Sequence, residues 1–311
     1  MKDDSINRIV VSEGAVLSSL SVDRNVIVDG TLDIVSMSVS KGVSLTVVGD
    51  VASSSNLTVS GEGNVIVSGN MRAVNNVEIN GTLKLTVKGI IDDSIYDSEN
   101  VYDIIYATSA IHAGQNITIQ RATVDAFNNM FSNGTTTINS GATVSVYGIS
   151  WCRNEEAYDH DHFGNGMQAV GGLTIEDAET TVRVMNNTNI ENGKAALQSD
   201  GHILISEATV QLGKAENVTC YYSWGIWATN GYLTVTDGAQ VDMTLRNEAD
   251  LDPDSDVNAI TTGMGSSANP AGTITFSAGE SEVLTKVVIR AGRPIRDRVK
   301  FVGQEFMEFI P

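Results

Sequence analysis

Residues 225–243, GIWATNGYLTVTDGAQVDM, restrict the chain's options more than any other stretch. Leu233 and Val235 flank Thr234, so one face of a short strand is apolar and the other polar. A turn signal follows at Asp237-Gly238, and Val241 and Met243 then flank Asp242 in a second alternating strand. Ahead of them, Ile226 and Ala228 surround Trp227 in a third short strand that ends at Asn230-Gly231. Three short strands with tight corners make one turn of a triangular coil.

The same order recurs along the chain. Ile111–Ala113 leads to Ile117–Ile119 and Val124–Ala126. Thr136–Ile138 leads, through a Ser140-Gly141 turn, to Val144–Val146. Met167–Ala169 precedes Leu173–Ile175 and Val182–Val184, and 196–201 precedes Ile203–Ile205 and Val210–Leu212. A degenerate copy pairs Ala259-Ile260 with Ile274–Phe276. Nearer the start, Leu45 and Val47 recur as Val65 and Val67, and Leu57 and Val59 as Val77 and Ile79. That spacing, about twenty residues, suits one solenoid turn.

A single coil cannot bury its own apolar strand faces. Coils stacked ~4.8 Å apart bring equivalent Leu, Ile and Val residues into continuous interior columns, and each strand pairs with those above and below. About ten coils make a rod of roughly 50 Å. The 311 residues are therefore read as one elongated all-β domain. Residues 1–29 form an N-terminal cap, 30–281 the solenoid, and 282–311, where Lys286, Arg290, Arg293, Arg296, Arg298 and Lys300 gather, a C-terminal cap or docking tail.

A formal net charge of -19 argues against binding nucleic acid through phosphates and against docking on anionic lipid. It suits cations or neutral sugars as partners. The first residues, MKDDSINRIVV, lack the apolar core of a signal peptide, and no run is long enough to span a membrane. Cys152 and Cys220 sit in or beside corner loops, either bridged or as two free thiols.

Between Ala110 and Phe276 the repeats carry excursions at 148–165, 185–194, 213–223 and 244–257, all after the last strand of a coil and before the next. An acidic insertion, IIDDSIYDSENVYD, occupies 90–103. Equivalent corners stack on one flank of a solenoid. Trp151, Tyr158, Tyr221, Tyr222, Trp224 and Trp227 fall there, or just beneath it for Trp227, among acids and amides that suit sugar rings and hydroxyls. The competing reading is that these rings stitch the corner loops together.

Asp250, Asp252, Asp254 and Asp256 present carboxylates at every second position, an all-oxygen spacing that calcium favours, although the glycine and closing glutamate of an EF-hand loop are missing. Asp159-His160-Asp161-His162 mixes imidazole and carboxylate on a loop, where only alternate members can share one transition-metal ion. Thr46, Thr58, Thr118, Thr137, Thr174, Thr234 and Thr275 are candidates for an outward threonine column. Asn56, Asn116, Asn133, Asn186 and Asn217 stand in N-x-Ser/Thr contexts that the turn-then-strand order generates by itself.

This coil order resembles the right-handed parallel β-helix proteins of the pectate-lyase-like superfamily. The stretches 225–243 and AALQSDGHILISEATVQL look like repeats of β-helical surface proteins from Gram-positive gut bacteria. The resemblance spans roughly 30–280 and implies a right-handed β-helix, exported to the cell surface or secreted. The polygalacturonase-type signatures NTD, paired DD, GHG and RIK do not occur in order, so no catalytic residue carries over. The expected function is a non-catalytic carbohydrate-binding or adhesin-like module that engages a glycan or another surface component, needs no cofactor unless calcium, and is open to self-association. The rivals are a polysaccharide lyase or glycoside hydrolase on the same flank, and a structural stalk.

Overall fold

The computed structural model describes residues 7–11, 15–89, 109–148, 165–187, 193–245, 260–262, 273–290, 301–302 and 306–310. Among them there is no α-helix, and no helix long and apolar enough to cross a membrane. Short strands recur in threes, and each pairs in parallel with its counterpart one coil further on. Leu45 faces Val65 and Leu57 faces Val77, the pairs that the repeat anticipates. The architecture is an all-parallel β-solenoid.

Three faces follow from the three strands of a coil. The lead-in face runs from Val51–Ser53 through Ile111–Ala113 and Tyr222–Ala228 to Ile260–Thr262. The middle face includes Leu57–Gly61, Ile117–Gln120 and Leu233–Thr236. These two join into one 19-stranded sheet through the long strand Leu32–Val39, which pairs with both Val51–Ser53 and Leu57–Gly61. The closing face is a separate sheet of 12 strands, from Asn7–Val10 to Met307–Ile310. Strands from both terminal stretches lie in these ladders: Asn7–Val10 pairs with Val26–Asp29, and Met307–Ile310 with Lys286–Arg290.

The core is a set of interior columns. Val26, Leu45, Val65, Leu85, Val124, Val144, Val182, Val210, Val241 and Val287 stack one per coil from the closing face. Leu57, Val77 and Ile117, with Val59, Ile79 and Ile119 beside them, do so from the middle face. Nearly all are wholly buried. Removal of this apolar area from water is what holds the stack together, at ~25 cal/mol per Å².

The corners divide into two kinds. At the Ser140-Gly141 and Asp237-Gly238 turns both residues take positive φ, which closes the bend within two residues. Between the lead-in and middle faces, Asn76 Nδ2 donates to Asn56 Oδ1 (3.0 Å), Asn116 Nδ2 donates to Asn76 Oδ1 (2.9 Å), and the Thr135 amide donates to Asn116 Oδ1 (2.8 Å). This ladder accounts for two of the N-x-Ser/Thr asparagines. The third corner, from closing face to lead-in face, carries the long excursions: Val87 to Ile111, Tyr147 to Met167, Asn186 to Gly193, Lys214 to Tyr222 and Thr244 to Ile260. Only in the last coils do the other corners lengthen, from Thr262 to Ile274 and from Phe276 to Lys286.

The proposed threonine column is real but broken. Thr58, Thr118, Thr137, Thr174, Thr234 and Thr275 share one outward line of the middle face, which Glu78 and Leu204 interrupt. Thr46 belongs to the closing face instead, opposite Ile27 and Ile66.

Inward and outward positions should therefore differ sharply in tolerance. Ile119→Ala, at a position with no solvent exposure, is expected to lower stability by about 2–5 kcal/mol. Its outward neighbour Thr118→Ala is expected to stay within about 0.5 kcal/mol. Thermal and urea unfolding followed by circular dichroism measures both.

Candidate functional site

Of the residues singled out from the sequence, Trp151, Tyr158, Asp250, Asp252, Asp254 and Asp256 lie outside the described residues, as do 159–162. Tyr221, Tyr222, Trp224 and Trp227 lie within them; only Trp224 and Trp227 stack on each other.

Tyr222 is a core residue, not a surface ring. It has no solvent exposure and its hydroxyl donates to the Gly148 carbonyl. The ring fits because Gly166 and Ala196 leave room beside the corner; a Cβ on Gly166 would lie 2.5 Å from Tyr222 Oη. Burial pushes the phenol pKa far upward. Alternation carries the signal for this: Tyr222 has the parity of inward Ile226 and Ala228. Trp227 points outward from the lead-in face, in line with Gln198, yet is only 8% exposed; it stacks on Trp224 at 5.5 Å.

The lead-in face shows the same pattern below Trp227. Its outward column reads Arg72, His112, Phe131, Gln168, Gln198, and from His112 onward every member is buried. His112 stacks on Phe131 at 5.4 Å. Asn165 Nδ2 donates to Gln168 and Gln198 at 3.2 Å each, and Gln198 Nε2 donates to Asp200 (2.8 Å) and Thr229 (3.1 Å). Such closed amide networks fix a surface in place; they leave little hydrogen-bonding capacity for a ligand.

Tyr221 stands at a different place, the end of the closing face where the excursions depart. There the outward column runs Phe127, Tyr147, Met185, Gly213, Thr244, Arg290. Phe127 and Tyr147 stack at 5.1 Å. Two coils later the column loses its side chain at Gly213, and a groove of about 430 Å³ opens. Its lining comes from four successive coils: Met185, then Gln211–Glu216, then Asp242 and Thr244, then Arg290, with Tyr221 at the side. At ~4.8 Å per coil the groove extends roughly 14 Å along the solenoid axis.

The groove's polar groups are arranged in pairs. Arg290 forms an ion pair with Asp242, the side chains 40% and 45% exposed. Lys214 Nζ lies 5.4 Å from the centre of the Tyr221 ring, within cation–π range. The Tyr221 carbonyl accepts from Asn186 Nδ2 at 3.1 Å, and the Ala215 amide donates to Asn186 O at 2.8 Å, which ties the excursion to the coil beneath. Lys214, Asp242, Arg290 and the hollow at Gly213 were not evident from the sequence. Only alignment across unequal excursions puts Met185, Gly213 and Thr244 on one line. Among the described residues no three His, Cys, Asp or Glu side chains gather as a metal-ligand set, and Cys220 is a free thiol.

The fold and the groove define a class, an all-parallel β-solenoid with an axial groove at its excursion-bearing corner. Set against protein-family models, curated proteins and solved structures, the chain matches none.

The buried face makes a pH prediction. Burial, with the Arg72 guanidinium one coil away as the smaller cause, lowers the His112 pKa from 6.5 to about 4. The folded state therefore favours neutral imidazole, while the unfolded chain takes up a proton below about 6.5. Stability from this group is complete above pH 6.5 and falls as the pH drops toward 4, by about 3 kcal/mol in all. Melting temperatures measured from pH 7 to pH 4 should show that fall, and His112→Gln should flatten it.

Proposed function

We propose that this chain is a non-catalytic binding module of the right-handed β-helix type, capped by its terminal stretches, that holds a linear glycan at or outside the cell surface. The observation that carries this reading is the groove running along four coils from Met185 to Arg290. A polymer lying parallel to the axis meets the same outward position once per coil. Tyr221 offers aromatic surface, and Gln211, Thr244, Glu216 and Asp242 offer hydrogen-bonding groups for hydroxyls. The Arg290–Asp242 and Lys214–Tyr221 pairs hold their own charges in place, an arrangement suited to a binding surface. Calcium at Asp250, Asp252, Asp254 and Asp256 is an accompanying proposal, supported by carboxylate spacing alone.

A glycan array probed with and without calcium, with product analysis of each hit, tests the reading. Gly213→Leu is the decisive variant. A Cβ there meets Thr244 O at 3.4 Å and Met185 Sδ at 3.8 Å, ordinary contacts, so the side chain fits the backbone and fills the hollow. It should abolish retention on the glycans that bind while leaving the melting temperature unchanged. Tyr221→Ala should weaken binding about tenfold, or ~1.4 kcal/mol. An array without hits, or a Gly213→Leu protein that binds like its parent, overturns the proposal.

A further inference from the structure

Asn129 stands at the start of the strand Met130–Ser132, at the corner from which the excursions leave. Its backbone is fully engaged: its amide donates to Asn128 Oδ1 at 2.9 Å, and its carbonyl accepts from the Ala110 amide at 3.0 Å. Its side chain is not. The residue has no solvent exposure, and among the described residues neither Nδ2 nor Oδ1 has a hydrogen-bond partner. An amide buried without partners is among the most unfavourable things a core can contain, and native proteins resolve such groups with internal water.

The stacking supplies a second polar group. Met130 pairs with Ile111 on one side and Met167 on the other, so Asn129 lies between Ala110 and Gly166, two residues with almost no side chain. The place where a Cβ of Gly166 would stand is 2.5 Å from Tyr222 Oη. In a parallel stack that place lies about one coil spacing, ~4.8 Å, from the Asn129 Cβ. The Tyr222 hydroxyl thus reaches down beside the Asn129 column. It donates its proton to the Gly148 carbonyl, which leaves its lone pairs able to accept.

We infer that the Asn129 amide and the Tyr222 hydroxyl share a buried solvent site. A water there accepts from Asn129 Nδ2 and donates to Tyr222 Oη; Asn129 Oδ1 is open to a donor from the same site. The site joins the strand that follows the Tyr221 excursion to a coil three turns below it, and so anchors the groove's aromatic wall from inside. This inference is independent of what the groove binds.

A crystal structure of the parent protein at a resolution that shows ordered water is the direct test. Density within hydrogen-bonding distance of both the Asn129 amide and Tyr222 Oη is expected, and a dry corner overturns the inference. Melting temperatures give the second readout. If water satisfies the amide, Asn129→Leu lowers the melting temperature, and its effect combined with Tyr222→Phe is smaller than the two separate effects added together. If the amide is truly unpaired, Asn129→Leu raises the melting temperature, which also overturns the inference. Should Asn129→Leu fail to fold, the density in the parent protein decides alone.

Discussion

Everything in this structure depends on parallel hydrogen bonding between successive coils in strict register. A slip of one residue would turn every inward Val, Leu and Ile outward, because side chains alternate with a period of two. The register holds from Asn7–Val26 at one end to Val287–Met307 at the other, although the sequence distance between partners varies widely. Leu45 and Val65 are twenty positions apart, whereas Val241 and Val287 are forty-six apart. The constraint is on the strands alone. Loop closure becomes only slowly less favourable with length, so a corner can lengthen freely once the flanking strands are fixed.

That freedom is used unevenly. The corner between the lead-in and middle faces is held by Asn76 donating to Asn56 and Asn116 donating to Asn76, and insertion there would break a hydrogen-bond chain shared by three coils. The turns at 140–141 and 237–238 depend on two consecutive positive φ values. The remaining corner is where the chain departs and returns. Excursions therefore line up on one side because the other two corners are already committed.

Much of the fold could be read in the sequence, because the interior columns are written directly in the apolar-x-apolar triplets. Outward positions were harder. The threonines of the L-T-V and I-T-I triplets look equivalent, yet Thr46 lies in a closing-face strand and the rest in middle-face strands. Triplets of the two faces are locally indistinguishable; only their order within the coil separates them. Tyr222 was misplaced for a related reason. Its position beside Tyr221 suggested a surface pair, while its parity with Ile226 and the small residues at 166 and 196 assigned it to the core. The groove was hidden further still, since an absence of side chain at Gly213 matters only once Met185 and Thr244 are known to flank it.

The same division explains why a groove opens at this corner. The lead-in face is sealed from His112 onward, its glutamines and asparagine already bonded to one another. The middle face is lined mainly by short polar side chains, the threonines of its outward line. At the excursion end of the closing face the outward column passes from stacked rings at Phe127 and Tyr147 through Met185 to nothing at Gly213. An outward strand position such as Gly213, itself buried at the floor of the groove, can lack a side chain without disturbing the columns inside. A hollow is therefore inexpensive to create on this face, and the Tyr221 excursion supplies a wall beside it. The core contributes only the spacing, one outward residue per coil, and that spacing turns a single missing side chain into a groove aligned with the axis.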